Sequence, residues 1–123
     1  MTREQLTAFI LERYSADQDS PWLKYPEHVV FRHPSSRKWF ALLMRIPKNK
    51  LGLDGDGMID VLNVKCDPLL IGSLREEQGI FPAYHMSKTS WITLALEGGP
   101  SDDKIVWLLD LSYELTNPKK KRT

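Results

Sequence analysis

Tryptophans and cationic residues occur together in strand-like runs of this sequence. They are the residues best suited to bind an anionic ligand that has exposed aromatic rings. Trp39 and Arg45 lie in one apolar run that alternates as a β-strand does, and Lys65 and Trp91 lie in two further such runs. Indole rings stack on unpaired bases, worth about 1–3 kcal/mol per base, and basic side chains neutralise phosphates. If these side chains share one face of a sheet, they would bind DNA or another polyanion there.

A cationic rim is predicted around that face, because Arg37 and Lys38 precede one strand and Lys88 precedes another. The predicted nucleic-acid-binding residues are Arg37, Lys38, Trp39, Arg45, Lys65, His85, Lys88 and Trp91. The alternative is that loop 77–90 or the first helix covers the tryptophans and that the lysines and arginines are merely solvated. Such a mixed face is common in antiparallel sheets.

The segment Tyr84–Lys88 is a second candidate site. His85 and Lys88 would bind an anion or act as acid and electrophile, or else His85 would anchor the loop by a hydrogen bond to the backbone. Cys66 and His85 would form a nucleophile–base pair if they met. Strand alternation, however, directs Cys66 into the core, where a thiol is inert. We therefore predict no catalytic residue.

Metal and cofactor motifs do not occur in the sequence. The one cysteine and three histidines show none of the close-pair spacings of zinc sites. Asp54, Asp56 and Asp60 suggest a calcium loop, but its sixth position is Ile59 instead of glycine and its twelfth is Lys65 instead of glutamate. With no glycine-rich phosphate motif either, the sequence predicts neither a metal nor a cofactor.

Three helices and four strands are predicted to position these residues. The predicted helices cover 2–14, 68–79 and 102–115, and the predicted strands cover 29–32, 38–46, 58–66 and 90–96. A run of strands flanked by helices indicates an α+β fold, in which an antiparallel sheet has helices packed on one face.

Strand alternation then assigns side chains to the two faces of the sheet. The core face is predicted to carry Phe40, Leu42, Met44, Ile46, Leu62, Val64, Cys66, Ile92 and Leu94. The opposite, open face is predicted to carry Trp39, Ala41, Leu43, Arg45, Val61, Asn63, Lys65, Trp91 and Thr93. The binding hypothesis depends on this assignment.

Length and composition indicate a single cytoplasmic domain. A chain of 123 residues is long enough for one core, and we assign it to 1–117, followed by a basic tail at 118–123. No apolar run approaches the ~20 residues that span a bilayer, and the first residues lack a signal-peptide pattern. The net charge is only +1, yet residues 28–53 contain six basic residues and no acidic one. That asymmetry favours an anionic partner.

Five sequence blocks support a family resemblance. They are Trp39–Leu43, Leu62–Pro68, Pro82–Lys88, Trp91–Leu94 and Ser112–Leu115. In order and spacing these blocks resemble the MmcQ/YjbR-like family of small bacterial proteins, and the Tyr-His-Met-x-Lys-x-x-Trp block is the most distinctive. The resemblance implies an α+β fold like that of secretion chaperones, and DNA binding through a "double-wing" arrangement of the sheet. The basic-then-acidic insert 46–58 departs from that pattern.

Three functional hypotheses follow. The first is a binding module without catalysis, whose partner is DNA or another polyanion. The second is a protein-interaction module, by analogy with secretion chaperones. The third is a small enzyme that uses His85 and Lys88, which would require a deep pocket containing both.

Overall fold

Within residues 1–117, which the computed structural model describes, three α-helices and a six-stranded antiparallel sheet form the fold. The helices are α1 (Arg3–Tyr14), α2 (Pro68–Leu74) and α3 (Asp102–Thr116). The strands are β1 (Asp17–Asp19), β2 (Val29–Arg32), β3 (Trp39–Pro47), β4 (Met58–Lys65), β5 (Ile80–Pro82) and β6 (Trp91–Ala95), in the spatial order β1-β2-β3-β4-β6-β5. The predicted fold is confirmed, whereas the predicted tail 118–123 lies outside the described residues.

Side-chain caps begin each of these helices at the residue that the sequence indicates. The Thr2 hydroxyl accepts a hydrogen bond from the Gln5 backbone N–H at 3.1 Å, and the Gln5 side chain accepts one from the Thr2 N–H at 3.0 Å. Asp67, followed by Pro68, and Ser101 each accept a backbone N–H of the first turn. These contacts satisfy donors that have no partner inside a helix. None of these helices is long and apolar enough to cross a membrane.

All three helices pack on the same face of the sheet, as predicted, and bury the main core there. Its members include Leu6, Ile10, Phe31, Leu62, Val64, Ile71, Ile92, Leu94, Ile105, Leu108 and Leu109. Burial of each such side chain contributes about 1.5–3 kcal/mol. The sheet is therefore a rigid platform whose strand ends hold their side chains at defined positions.

The opposite face is covered by loops, and the prediction of an open face is wrong. Segments 20–28, 48–53 and 83–90 lie on it, and we call it the loop-covered face. Its buried cluster consists of Val30, Leu42, Met44, Ile46, Ile59, Val61 and Ala95, with Trp22, Trp39, Leu51, Leu53, Phe81, Tyr84 and Met86 packed against it. So many apolar side chains on one sheet face would be costly in water, and the loops remove them from it.

A β-bulge reverses the predicted faces of β3. The register passes from Arg32 opposite Trp39 to Phe31 opposite Ala41, so Phe40 is the extra residue. Phe40 and Ala41 consequently both join the helix-side core. A shift of one residue moves every later side chain of a strand to the other face, so the predicted faces are inverted from Ala41 onward in β3. The predicted faces of β4 and β6 are correct.

Two edge strands and one close backbone contact were not predicted. β1 and β5 contain three residues each, which is too short for an alternation pattern to be recognised. α2 ends at Leu74, and Gly79 instead lies just before β5 with φ of +83°. A Cβ atom on Gly79 would lie 2.2 Å from the Gly99 Cα, and one on Gly99 would lie 1.8 Å from the Ala95 carbonyl oxygen. Both glycines are therefore required by packing.

Candidate nucleic-acid interface

Four of the eight predicted binding residues meet in one groove at an end of the sheet. β3 begins there, β4 ends there and β6 begins there. The groove has a volume of about 350 Å³ and is lined by Lys38, Trp39, Lys65, Met86, Trp91, Leu115 and Thr116. We call it the tryptophan groove. It combines two indole rings with two ammonium groups, as the sequence hypothesis required.

The strand register accounts for this convergence. Lys65 and Trp91 are directly paired residues of the adjacent strands β4 and β6. Trp39 precedes the bulge of β3, so its side chain stays on the predicted face when the later residues of that strand are inverted. Both tryptophans are half-buried. Their rings are thus held by the protein on one side and remain partly accessible from the groove.

The two lysines of the groove carry charge that no acid in the described part of the chain neutralises. Lys38 is exposed and Lys65 is half-buried, and neither forms an ion pair with any residue in 1–117. None of the described residues that line the groove is acidic. Two unpaired ammonium groups beside half-buried rings give a positive potential in a partly water-excluded space, where charge interactions are stronger than in bulk water.

Neighbouring residues fix the orientation of Trp39. The Arg32 guanidinium carbon lies 5.4 Å from the centre of the Trp39 ring, and Trp22 meets that ring edge-on, with centroids 5.7 Å apart and planes at 88°. Arg32 is itself held by Asp19 of β1 at 3.2 Å. Cation–π and edge-to-face contacts of this kind each contribute roughly 0.5–1.5 kcal/mol, so the ring is held in place before any ligand arrives.

A buried histidine joins the turn before β3 to the end of α3, and sequence reasoning missed it. His33 Nε2 lies 2.7 Å from the Thr116 hydroxyl, which donates its own hydrogen to the Ser112 carbonyl oxygen at 2.8 Å. With the Thr116 hydrogen assigned to that carbonyl, the donor between the two side chains is His33 Nε2–H. Burial, with a smaller contribution from the Lys38 charge, lowers the pKa of His33. The contact fixes Thr116 against the turn that carries Lys38.

The loop at the rim of the groove is fastened to the sheet by two buried polar side chains. Asn63 Nδ2 donates to the Tyr84 carbonyl oxygen at 2.8 Å, and the Tyr84 N–H donates to the Thr93 hydroxyl at 2.9 Å. That hydroxyl donates in turn to Asn63 Oδ1 at 2.5 Å. Asn63 and Thr93, predicted to lie on an open face, are thus fully buried and act as anchors that position Met86.

His85 and Lys88 lie outside the groove. Both are exposed, and neither lines the tryptophan groove or the larger cavity beside Asp60. His85 has φ of +60°, and its ring centre lies 4.0 Å from that of Tyr84. The loop anchor that sequence reasoning offered for His85 is provided by Asn63 and Thr93 instead. The structure does not bring His85 and Lys88 together in a deep pocket.

Arg45 and Arg37 are placed differently from the prediction, and each is neutralised by an acid. The bulge puts Arg45 on the helix side, where its guanidinium lies 3.4 Å from the Asp60 carboxylate. Asp60 also accepts a hydrogen bond from Arg3 Nε at 3.0 Å, beside a second cavity of about 660 Å³ that we call the Asp60 cavity. Arg37 pairs with Asp17 of β1. Neither arginine contributes to the tryptophan groove.

The perturbed groups in the main core and between α1 and α3 are structural. Burial raises the pKa of the Cys66 thiol, which lies in the main core as predicted. On the outer side of α1 and α3, Arg13 donates two hydrogen bonds to Asp110, of 2.8 and 2.7 Å, and the Tyr14 hydroxyl donates a third of 2.6 Å. The Arg13 hydrogen bonds lower the pKa of Asp110. This cluster joins two helices and lines neither cavity.

Comparison with known proteins identifies the family. The family model described as YjbR matches residues 11–115. The chain is 42% identical over 116 residues to the uncharacterised protein YyaQ of Bacillus subtilis, which covers 94% of this chain and 98% of YyaQ.

Solved structures support the same family assignment. A crystal structure of a Pseudomonas syringae protein superposes with a TM-score of 0.93 at 44% identity, covering 95% of this chain and all (100%) of that one. A Deinococcus radiodurans protein of the DUF419 domain family superposes with a TM-score of 0.69 at 25% identity, covering 94% of this chain and 78% of that one. The sequence and the fold agree with each other, and the chain belongs to the YjbR family.

Proposed function

We propose that this chain is a binding module without catalysis, and that it holds DNA with unpaired bases in the tryptophan groove. One observation carries the proposal: Trp39 and Trp91 lie half-buried in the same groove as Lys38 and Lys65, and no acid among residues 1–117 lines it. The rings suit the faces of bases and the lysines suit phosphates. The arrangement matches single-stranded nucleic-acid sites, in which aromatic platforms combine with a positively charged groove.

The size of the groove favours a single strand over a duplex. A volume of about 350 Å³ accommodates a base with its phosphate and is far too small for a double helix. A base that stacks on Trp39 or Trp91 must leave the duplex stack, which requires unpairing energy unless the strand is already single. We therefore expect tighter binding to single-stranded DNA than to a duplex of the same sequence.

The segment 46–58 is a less suitable place for DNA, although a double-wing arrangement would use such a hairpin as a wing. Leu51 and Leu53 pack onto the loop-covered face, so the segment folds back against the sheet. Its lysines, Lys48 and Lys50, are followed within a few residues by two aspartates. The lysine and aspartate charges largely cancel, so the positive electrostatic potential is weaker there than in the tryptophan groove. We therefore expect no DNA contact at segment 46–58.

Titration of the protein with a fluorescently labelled oligothymidylate, followed by anisotropy, tests the proposal. Binding should weaken by roughly sevenfold between about 50 and 200 mM salt, because phosphate contacts with the two groove lysines release counterions. Tryptophan emission should fall as bases stack on the indoles. Absence of binding at the lower salt concentration would refute the proposal, and equal affinity for single strand and duplex would refute the assigned stacking mode.

A further inference from the structure

We propose that the bound strand leaves the tryptophan groove along a row of rings on the loop-covered face, so that the site takes a run of several unpaired nucleotides. This inference rests on the proposed function and specifies its ligand. The row consists of Trp39, Trp22, His28 and Tyr25, and we call it the aromatic track. Trp39 belongs to the groove, and Tyr25 is the outermost ring.

Consecutive rings of the track are in contact, the first two pairs edge-on and the third pair stacked. The centroid of Trp39 is 5.7 Å from that of Trp22, and the centroid of Trp22 is 6.1 Å from that of His28. His28 and Tyr25 are stacked with centroids 5.0 Å apart and planes at 10°. The planes of Trp39 and Trp22 meet at 88° and those of Trp22 and His28 at 75°, so bases that stack on successive rings cannot stack on one another, and a strand that follows the track must be unstacked.

The outer end of the track is open to solvent. Tyr25 is 54% exposed, although a ring of this size is usually more deeply buried. Hydrogen bonds from the Tyr25 N–H to the Trp22 carbonyl oxygen and from the His28 N–H to the Tyr25 carbonyl oxygen, both 3.0 Å, hold the segment in consecutive turns. The exposed ring is therefore presented in a defined orientation by its own backbone and by His28.

Charge along the track is compatible with a phosphate backbone. Lys24 is exposed beside Tyr25 and forms no ion pair with any residue in 1–117. The charged groups that face His28 are Glu27, Arg3 and His85. Burial lowers the pKa of His28, so its ring is neutral near pH 7 and acts as a flat partner for Tyr25. Glu27 is the one acid in this segment, and Lys24 balances it.

The test compares oligothymidylates of ~2 and ~8 nucleotides, at low salt, on wild-type protein and on Tyr25→Ala. Wild-type protein should bind the longer strand more tightly per site than the shorter one. Tyr25→Ala should lose about fivefold or more in affinity for the longer strand, which corresponds to one lost stacking contact, and should largely remove that dependence on length. Tyr25→Phe keeps the ring and should restore the wild-type dependence on length.

Leu23→Ala is the matched control, because Leu23 is 98% exposed in the same segment and is not part of the track. It should bind both strands as wild-type protein does. If wild-type protein binds the two lengths equally, or if Tyr25→Ala binds the longer strand like wild-type, the track is refuted while binding in the groove stands. If wild-type protein binds neither length, the proposed function fails as well.

Discussion

The two ends of the β3–β4 ribbon both carry cationic side chains, but among residues 1–117 the charge is paired at one end and unpaired at the other. In the tryptophan groove, Lys38 and Lys65 have no acidic neighbour among the lining residues. At the far end, roughly 20 Å away along β3, Arg45 and Arg3 share the carboxylate of Asp60. A cation in the sequence thus marks a site for anions only where tertiary neighbours do not neutralise it.

The aromatic surroundings of the two ends differ in the same sense. The groove has two half-buried indoles within reach of its lysines, whereas no aromatic side chain lines the Asp60 cavity among the described residues. Ligand binding is therefore expected at one end and structural pairing at the other. Variants matched between the two ends test this distinction.

The largest expected effect is on Trp91. Trp91→Ala removes a stacking surface and should weaken binding of single-stranded DNA by about 1–3 kcal/mol, with little change in salt dependence. Anisotropy titration measures the affinity, and circular dichroism verifies the fold. Trp107→Ala is the control, because Trp107 is 48% exposed on α3, contacts Lys104 and does not line the groove. Equal losses in the two variants would contradict a specific role for the groove.

The next effect concerns the groove lysines. A double substitution, Lys38→Ala with Lys65→Ala, should weaken binding on the order of tenfold at low salt and reduce the slope of log K against log salt by about 1.4, the value for two phosphate contacts on a single strand. The control, Lys48→Ala with Lys50→Ala, removes the same charge outside the groove. A similar change of slope in both pairs would show that only net charge matters.

At the far end, the expected effect is on stability. Asp60→Asn leaves Arg3, whose side chain is only 19% exposed, without its carboxylate. The free energy of unfolding should fall by about 1–2 kcal/mol, discounted for partial exposure, and affinity for DNA should rise because two arginines lose their acid. Urea unfolding and the same titration measure both. Asp54→Asn, on an exposed turn, is the charge-matched control and should change neither by much.

Acidification should weaken the groove end through His33. Because the pKa of His33 is lowered in the folded protein, protons bind the unfolded chain more readily. The free energy of unfolding should be highest above pH 6.5, the ordinary pKa of histidine, and should decrease as pH falls below that value. The pKa of His28 is lowered as well, so His33→Gln should remove only part of this loss. Urea unfolding at pH values on both sides of 6.5 tests this, and an unchanged pH profile in His33→Gln would exclude His33 as a cause.

The smallest effect is expected for Arg45→Ala. Its contacts with Asp60, at 3.4 and 3.5 Å, are long, and its side chain is 44% exposed. Stability should change by less than about 0.5 kcal/mol, and DNA affinity by no more than about twofold. A loss comparable to that of the lysine pair would place the ligand at the wrong end of the ribbon and overturn the comparison.

Sequence reasoning located the elements well but located the faces only in part. Capping residues such as Thr2, Asp67 and Ser101 mark the helix starts because they act within one turn of chain. The alternation of β4 and β6 correctly placed Lys65 beside Trp91. It misplaced Arg45, because the bulge at Phe40 depends on how β2 pairs with β3, and nothing local to β3 reveals it.

What the sequence alone determined are the local properties: where helices begin, which strands alternate, that Cys66 is buried, and that Trp39, Lys65 and Trp91 share a face. Which charges remain unpaired and which rings remain accessible depends on the folded chain. Those properties depend on contacts between residues far apart in the chain, such as Arg3 with Asp60 or His33 with Thr116. Local preferences act over a few residues, whereas neutralisation and burial depend on the whole packed chain.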